Sequence, residues 1–231
     1  MPNNYFQFKQ FRIEQEHCAM KVCTDACLFG AWFANRISGK SSILDIGSGT
    51  GLLLMMLAQK ASSDSVLHGI EIEDGCFEQL KSNVNSSPWA DRIQLFHGDV
   101  RGYTLPLQYD FIISNPPFYE NDLSSDHRGK QLAMHTSALR FDDLAEVIQK
   151  NLSRSGTAAI LLPFHRAEGF VKVMEKQGFF LTEELRVKQS PKHTWFRSVM
   201  HFGFEKKVLS TEEMIINDDA FKTLMADYYL R

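Results

Sequence analysis

The chain has 231 residues, 44% hydrophobic and 23% charged, enough for one well-buried core and outside the composition of a disordered tail or a collagen-like fibre. Twenty-five Lys and Arg against 28 Asp and Glu leave a formal net charge of −3, which excludes a uniformly basic nucleic-acid coat but not a local basic patch. No apolar run approaches the roughly 18 residues that span a membrane, and Met1 to Lys9 lacks the pattern of a secretory signal, so a cytoplasmic location is expected.

Residues 1–40 read as an N-terminal extension. Tyr5 to Ile13 alternates apolar positions (Phe6, Phe8, Phe11, Ile13) as a short hairpin would, and Thr24 to Ala34 reads as a helix that Thr24 or Asp25 caps. From residue 42, short apolar runs alternate with helical patterns. Strands are expected at Ser42–Ile46, Val66–Glu71, Arg92–His97, Tyr109–Ser114 and Thr157–Leu162, with helices at 50–61, 74–84, 141–152 and 166–176. This alternation predicts right-handed crossovers and an open, mostly parallel α/β sheet. Phe179–Val187 and Phe196–Phe204 follow without a helix between them, as an antiparallel pair that closes a seven-stranded sheet with helices on both faces. The expected division is an extension over 1–40 packing on the core, a catalytic domain over 41–209 and a helical tail over 210–231, where Ser210-Thr211-Glu212-Glu213 reads as a helix start. The cysteines Cys18, Cys23, Cys27 and Cys76 lack zinc-site spacing and are expected to be reduced thiols, with no metal bound.

The first strand runs into Asp45-Ile46-Gly47-Ser48-Gly49-Thr50-Gly51 and then a helix. Gly47, Gly49 and Gly51 form a turn that lets a ligand approach the backbone closely. The spacing is neither the dinucleotide G-x-G-x-x-G nor a P-loop, because Leu52 stands three positions after Gly49 and no Gly-Lys-Ser/Thr follows. Asp45 before the glycines repels a pyrophosphate and suits an ammonium group. Glu71 at the end of the second strand suits ribose hydroxyls. Asp99, with Val100 beside it after the third strand, suits an adenine amino group. A nucleoside carrying an amino-acid tail, S-adenosylmethionine, satisfies all three.

The fourth strand ends in Ser114-Asn115-Pro116-Pro117-Phe118. Two prolines cannot continue a ladder and stiffen the turn. A planar amine conjugated to a ring is a poor nucleophile. The Asn115 side-chain oxygen and the Pro116 carbonyl can accept its two hydrogens and turn the lone pair toward an electrophile, while Pro117 fixes the turn and Phe118 stacks on the planar group.

These two motifs resemble class I S-adenosylmethionine-dependent methyltransferases with an N-P-P-F/Y signature, which act on adenine N6, cytosine N4 or a glutamine amide. Ala19 to Trp32, with Met20-Lys21-Val22-Cys23-Thr24-Asp25, and Tyr5 to Phe11 resemble the bacterial tRNA1(Val) adenine-37 N6-methyltransferase family, as do Ala133, His135 and Arg197-Ser198-Val199. The resemblance implies a Rossmann-like methyltransferase fold, N6-methylation of an adenine in tRNA, and Lys21, Thr24 and Asp25 lining the cofactor pocket. Cys23 and Cys27 depart from the family by replacing small residues, and Phe118-Tyr119 reverses the usual aromatic order. Glutamine N5-methylation of a release factor and N6-methylation of ribosomal RNA are the alternatives.

The charge is unevenly divided: residues 41–150 carry −7 and residues 151–209 carry +5. Within the basic stretch, Lys188, Lys192, Trp195 and Arg197 interleave cations with an aromatic, as RNA contacts require. Arg128 and Lys130 lie in a loop that follows the N-P-P-F segment directly; it is either a lid that closes over a flipped base or a plain surface loop.

Overall fold

A computed structural model describes residues 3–117 and 139–230. Strands β1 (Tyr5–Gln7) and β2 (Arg12–Glu14) pair antiparallel as a small hairpin. Helix α1 (Thr24–Ala34) follows. The sheet then builds through β3 (Ser42–Ile46), α2 (Leu52–Ala58), β4 (Val66–Glu71), α3 (Asp74–Asn85), β5 (Ile93–His97) and β6 (Tyr109–Ser114). It continues with α4 (Phe141–Asn151), β7 (Leu152–Pro163), α5 (Phe164–Lys176), β8 (Phe180–Lys188), β9 (Arg197–Gly203), β10 (Ser210–Ile215) and α6 (Asp219–Met225).

The main sheet has the order β10-β8-β9-β7-β6-β3-β4-β5. Every neighbouring pair is parallel except β9, which runs antiparallel to both β7 and β8. Side chains alternate between two cores, as the period of 2 in a strand requires. Ile43, Phe111, Ile113, Ala159 and Leu161 face a core shared with α1, α2, α3, α6 and the hairpin. Leu44, Ile46, Ile112, Ala158 and Ile160 face the core under α4 and α5. Strand order reverses between β3 and β6, and ligands of open α/β sheets bind beyond the carboxyl ends of the strands at such a point.

Seven strands stand where the α/β pattern placed them, and the eighth corrects the expected helix start at Ser210. Residues 210–215 instead pair in parallel with Glu183–Lys188. Only Met214 in this segment is fully buried, so a helix there would have no apolar face to bury. The edge of β8 offers unpaired backbone groups, and Arg36 bridges Glu183 at 3.5 Å and Glu212 at 3.6 Å.

The N-terminal and C-terminal segments meet on α2. Phe8 and Ile13 are fully buried. The Lys9 N–H donates to the Tyr228 carbonyl at 2.9 Å, and the Tyr228 hydroxyl donates to the Met56 carbonyl at 3.0 Å. Asn83 of α3 exchanges hydrogen bonds with both backbone groups of Glu14 (2.8 and 2.9 Å) and also donates to Thr50 O at 2.9 Å. One amide thus ties the hairpin to the glycine turn.

Two further expectations are corrected. Neither Thr24 nor Asp25 caps α1: the N-cap is Cys23, which makes no side-chain capping bond. Cys18 and Cys76 are joined in a disulfide across 58 residues, with Cα atoms 4.7 Å apart, rather than standing as separate thiols. Cysteine spacing along the chain carries no sign of this, because the β3–α2–β4 crossover is what brings the two together. Cys23 and Cys27 are free. No helix among the described residues is long and apolar enough to cross a membrane.

Candidate active site at the switch point

The glycine turn is held by the strands it joins. The N–H groups of Gly47 and Ser48 both donate to the Ile70 carbonyl, at 2.9 and 3.1 Å, and Gly51 N–H donates to Ser48 O at 2.8 Å. Gly47, Gly49 and Gly51 have φ of 70°, 53° and 85°, the left-handed region that favours glycine. Their surroundings differ. A Cβ on Gly47 or Gly49 would meet nothing within 4 Å, whereas one on Gly51 would lie 2.7 Å from Leu80 Cδ1. Gly47 and Gly49 therefore leave open space for a ligand against the backbone, and Gly51 lets α3 pack against the turn.

Asp45 is fully buried at the end of β3, and neither carboxylate oxygen has a hydrogen-bond partner. Burial, reinforced by the charge of Glu71 and only partly offset by the nearby Ser48 hydroxyl, which itself donates to the Asp45 backbone carbonyl, pushes its pKa up to about 8. An orphaned buried carboxylate is costly unless a cation or donor completes it. Such an oxygen pair beneath an open glycine turn fits the ammonium-bearing ligand expected from the sequence.

Glu71 has the opposite character. One oxygen accepts from Gly49 N–H at 2.9 Å, and the other from Ile72 N–H and Glu73 N–H at 2.9 and 3.0 Å. The carboxylate is thus part of the turn's scaffold, with one lone pair, on the oxygen that accepts from Gly49, left over for a ribose hydroxyl. Asp99 has a partner that the sequence reading missed: Arg101 donates through Nε and Nη2 to its two oxygens, and the Arg101 N–H adds a third contact at 3.0 Å. That side-chain pairing holds the Asp99 carboxyl below its usual range. The two-residue spacing of Asp99 and Arg101 was the available signal. Val100 is buried beside them.

Register brings the second motif alongside. Ile46 of β3 lies opposite Ser114 of β6, and the Ser114 hydroxyl donates to the Ile46 carbonyl at 2.7 Å. Asn115 therefore leaves its strand next to Gly47, about one strand spacing (~4.8 Å) away. Its Oδ1 is buried without a partner, and its Nδ2 lies 3.9 Å from the Met20 sulfur. Pro116 is buried and Pro117 exposed. Phe118, Arg128, Lys130, Ala133 and His135 lie outside the described residues.

Met20 was not foreseen in this position. The Val22 N–H donates to the Gln15 side chain at 2.8 Å, and Cys18 is tied to Cys76 on α3. These contacts carry residues 18–22 to the site. Lys21 and Thr24 are exposed, and Asp25 is buried. The four residues expected at an RNA surface divide. Lys192 is exposed on the β8–β9 loop. Lys188 sits 4.8 Å from the centre of the Trp195 ring and 3.6 Å from Glu213. Trp195 also packs on Phe164 and Arg186. Arg197 is paired with Asp25 at 2.6 Å. All four stand at the same edge of the sheet as Asn115.

The fold and this edge define a class I methyltransferase. A methyltransferase small-domain model matches residues 26–154. Similar solved structures include a putative class I S-adenosylmethionine-dependent methyltransferase from Listeria monocytogenes (TM-score 0.64, 14% identity, 90% of this chain and 72% of that one). The glycopeptide N-methyltransferase MtfA in complex with S-adenosylmethionine is another (TM-score 0.57, 10% identity, 78% and 87%). Among sequences, the tRNA1(Val) (adenine(37)-N6)-methyltransferase of Dyadobacter fermentans is 36% identical, with all of both chains covered. That of Trichodesmium erythraeum is 38% identical, again over all of both. The chain belongs to the tRNA1(Val) (adenine(37)-N6)-methyltransferase family.

Proposed function

We infer that this protein methylates N6 of an adenine in tRNA, adenine 37 of tRNA1(Val), using S-adenosylmethionine. The observation that carries the site assignment is a pair of orphaned acceptors on the neighbouring strands of the switch point, the Asp45 carboxylate opposite Ile113 and Asn115 Oδ1 two residues further on. The first fits the cationic amino-acid end of the cofactor, and the second fits a hydrogen of the target amine.

S-adenosylmethionine supplies a methyl group on a cationic sulfur. The chain's own residues supply position. Gly47 and Gly49 leave the backbone open to the cofactor, and Glu71 fixes the turn while offering an acceptor to the ribose. Asn115 Oδ1 and the Pro116 carbonyl take the two N–H groups of the exocyclic amine, which localises its lone pair and aims it. The amine proton becomes acidic once nitrogen is alkylated, so positioning rather than a strong base governs the rate. Lys192 and the β8–β9 loop lie on the side from which the nucleic acid would approach. The extension over 1–40 and the tail over 210–231 share one core with the catalytic unit over 41–209, so neither should be removable without loss of fold.

The test is labelled methyl transfer onto total tRNA from a strain lacking this protein, followed by nucleoside analysis. N6-methyladenosine in tRNA is expected. Label in ribosomal RNA or in a release factor instead overturns the substrate assignment.

A further inference from the structure

We propose that Arg197 is a positioning residue of the methyl-transfer site, acting through Asp25 to hold residues 20–25 against the amide of Asn115, and not a phosphate contact. The proposal rests on Asn115 being the residue that holds the amine.

Arg197 opens β9 opposite Pro163, the last residue of β7. Asn115 emerges from β6, on the other side of β7, so the two residues stand about two strand spacings (~10 Å) apart at one edge. The guanidinium Nε donates to Asp25 Oδ2 at 2.6 Å, Nη1 donates to the Phe196 carbonyl at 3.1 Å, and the group lies 5.0 Å from the centre of the Phe196 ring. The pair is largely shielded: the Asp25 side chain is 12% exposed and that of Arg197 28%. A guanidinium used in this way is committed to the protein.

The link spans 172 residues and closes on the first turn of α1. That turn receives no side-chain bond from its own N-cap, Cys23. Its anchoring comes from Arg197 on one side and, through Val22, from Gln15 on the other. Met20 stands two residues before Val22, between that bond and the Cys18–Cys76 link, and is in contact with Asn115 Nδ2. The contact decides which end of the amide faces inward. With Nδ2 toward the sulfur, Oδ1 is the buried, unpartnered end. A half-turn of the amide would set its NH2 against the amine hydrogens of the substrate, donor against donor. Loss of the Arg197 guanidinium strands the buried Asp25 carboxylate, releases the first turn and frees that rotation. The effect falls on the transfer step and leaves RNA affinity alone.

The experiment compares full-length Arg197→Met, Arg197→Lys, Asp25→Asn and the Asp25→Asn/Arg197→Met double variant with the parent, on an unmodified tRNA transcript. Arg197→Met is expected to slow single-turnover transfer by about 10-fold to 100-fold. Its tRNA Kd stays within about twofold of the parent, and the slope of log Kd against log salt does not change. Arg197→Lys recovers part of the rate, and the double variant is no slower than either single one, because both remove one interaction. A slope reduced by about 0.9 with transfer intact assigns Arg197 to a phosphate and overturns the proposal. Rate losses that multiply in the double variant overturn it too. Should Arg197→Met fail to fold by circular dichroism, Arg197→Lys decides: a slowed transfer with the parental salt slope supports the proposal, and parental transfer refutes it. Parental turnover in Asn115→Ala would instead remove the underlying role of Asn115. With Asn115→Ala inactive, parental turnover in Arg197→Met removes only the present inference.

Discussion

The two halves of the site are built by different means. On the β3–β4–β5 side, the groups belong to contiguous strand ends. Glu71 is locked by three backbone N–H groups, Asp99 is gripped by Arg101 two residues on, and Gly47 and Ser48 hang from Ile70. On the β6–β7–β9 side, contacts join remote segments, Met20 with Asn115 and Asp25 with Arg197, and the segment that makes them is tied back to α3 by Cys18–Cys76. The cofactor side is therefore preorganised by local backbone geometry. The substrate side depends on an N-terminal segment being fastened across the sheet edge. Each half retains one buried acceptor group without a partner among the described residues, Asp45 or Asn115.

Asn115→Ala gives the sharpest separation of the halves. Removing the acceptor at the reacting nitrogen should lower single-turnover methyl transfer by about 10³-fold, in line with the loss of one preorganised polar contact in a dry site. Cofactor affinity, measured by calorimetry, should remain near the parental value. An equal loss of cofactor binding would erase the distinction.

The tether of the substrate side is tested by Cys18→Ser. Opening a 58-residue link should cost about 2–4 kcal/mol, read as a lower Tm, while the same variant already under reductant shows no further change. The Asn83 bonds to Glu14 and Thr50 should keep the hairpin on α3 meanwhile. A Tm indifferent to both reductant and substitution would show that the segment is held by those bonds alone.

The difference between the halves also explains what the sequence revealed. The strand positions, the glycine turn and the N-P-P segment were legible because each motif is short and its residue types state their geometry: left-handed glycines, a carboxylate at a strand end, prolines that stop a ladder. Glu71 is expected at the site from its place at a strand end, but its role as a clamp on Gly49 N–H depends on how the turn folds back. Met20, the disulfide and the Arg197–Asp25 pair were not legible, because contacts across 58 to 172 residues leave no periodicity. The helix expected at Ser210 failed for a related reason. The Ser-Thr-Glu-Glu capping pattern is local, and the open edge of β8 that captured it is not.

On the cofactor side, Asp45 makes a prediction about pH. Its pKa in the folded protein, about 8, stands above the ordinary carboxylate value, so its effect on stability is fully favourable only at acid pH. That contribution is lost as pH rises toward 8, because the unfolded chain ionises first. Cofactor binding has the opposite sign: the ionised carboxylate is the form that accepts an ammonium. Affinity for S-adenosylmethionine should therefore rise with pH by up to about tenfold per unit toward pH 8, and fall again above it as the ligand's own α-amino group, of ordinary pKa about 8, loses its proton. Asp45→Asn should abolish that rise and raise the Tm of the free protein at pH 8. A cofactor affinity flat from pH 6 to 9 in the parent would remove the assigned role.

The smallest effect belongs to Lys192, and it separates loose charge from built-in charge. Lys188 stacks on Trp195 and faces Glu213, and Trp195 is wedged against Phe164 and Arg186, so truncating either disturbs packing as well as any RNA contact. Lys192 is exposed at the turn of the β8–β9 loop. One phosphate contact contributes about 0.9 to the slope of log Kd against log salt. Lys192→Ala should therefore reduce that slope by about 0.9 and weaken tRNA binding several-fold at low salt, without changing Tm or the single-turnover rate at saturating tRNA. An unchanged slope would move the RNA off this loop, leaving the net +5 of residues 151–209 as the solvated face of a sheet.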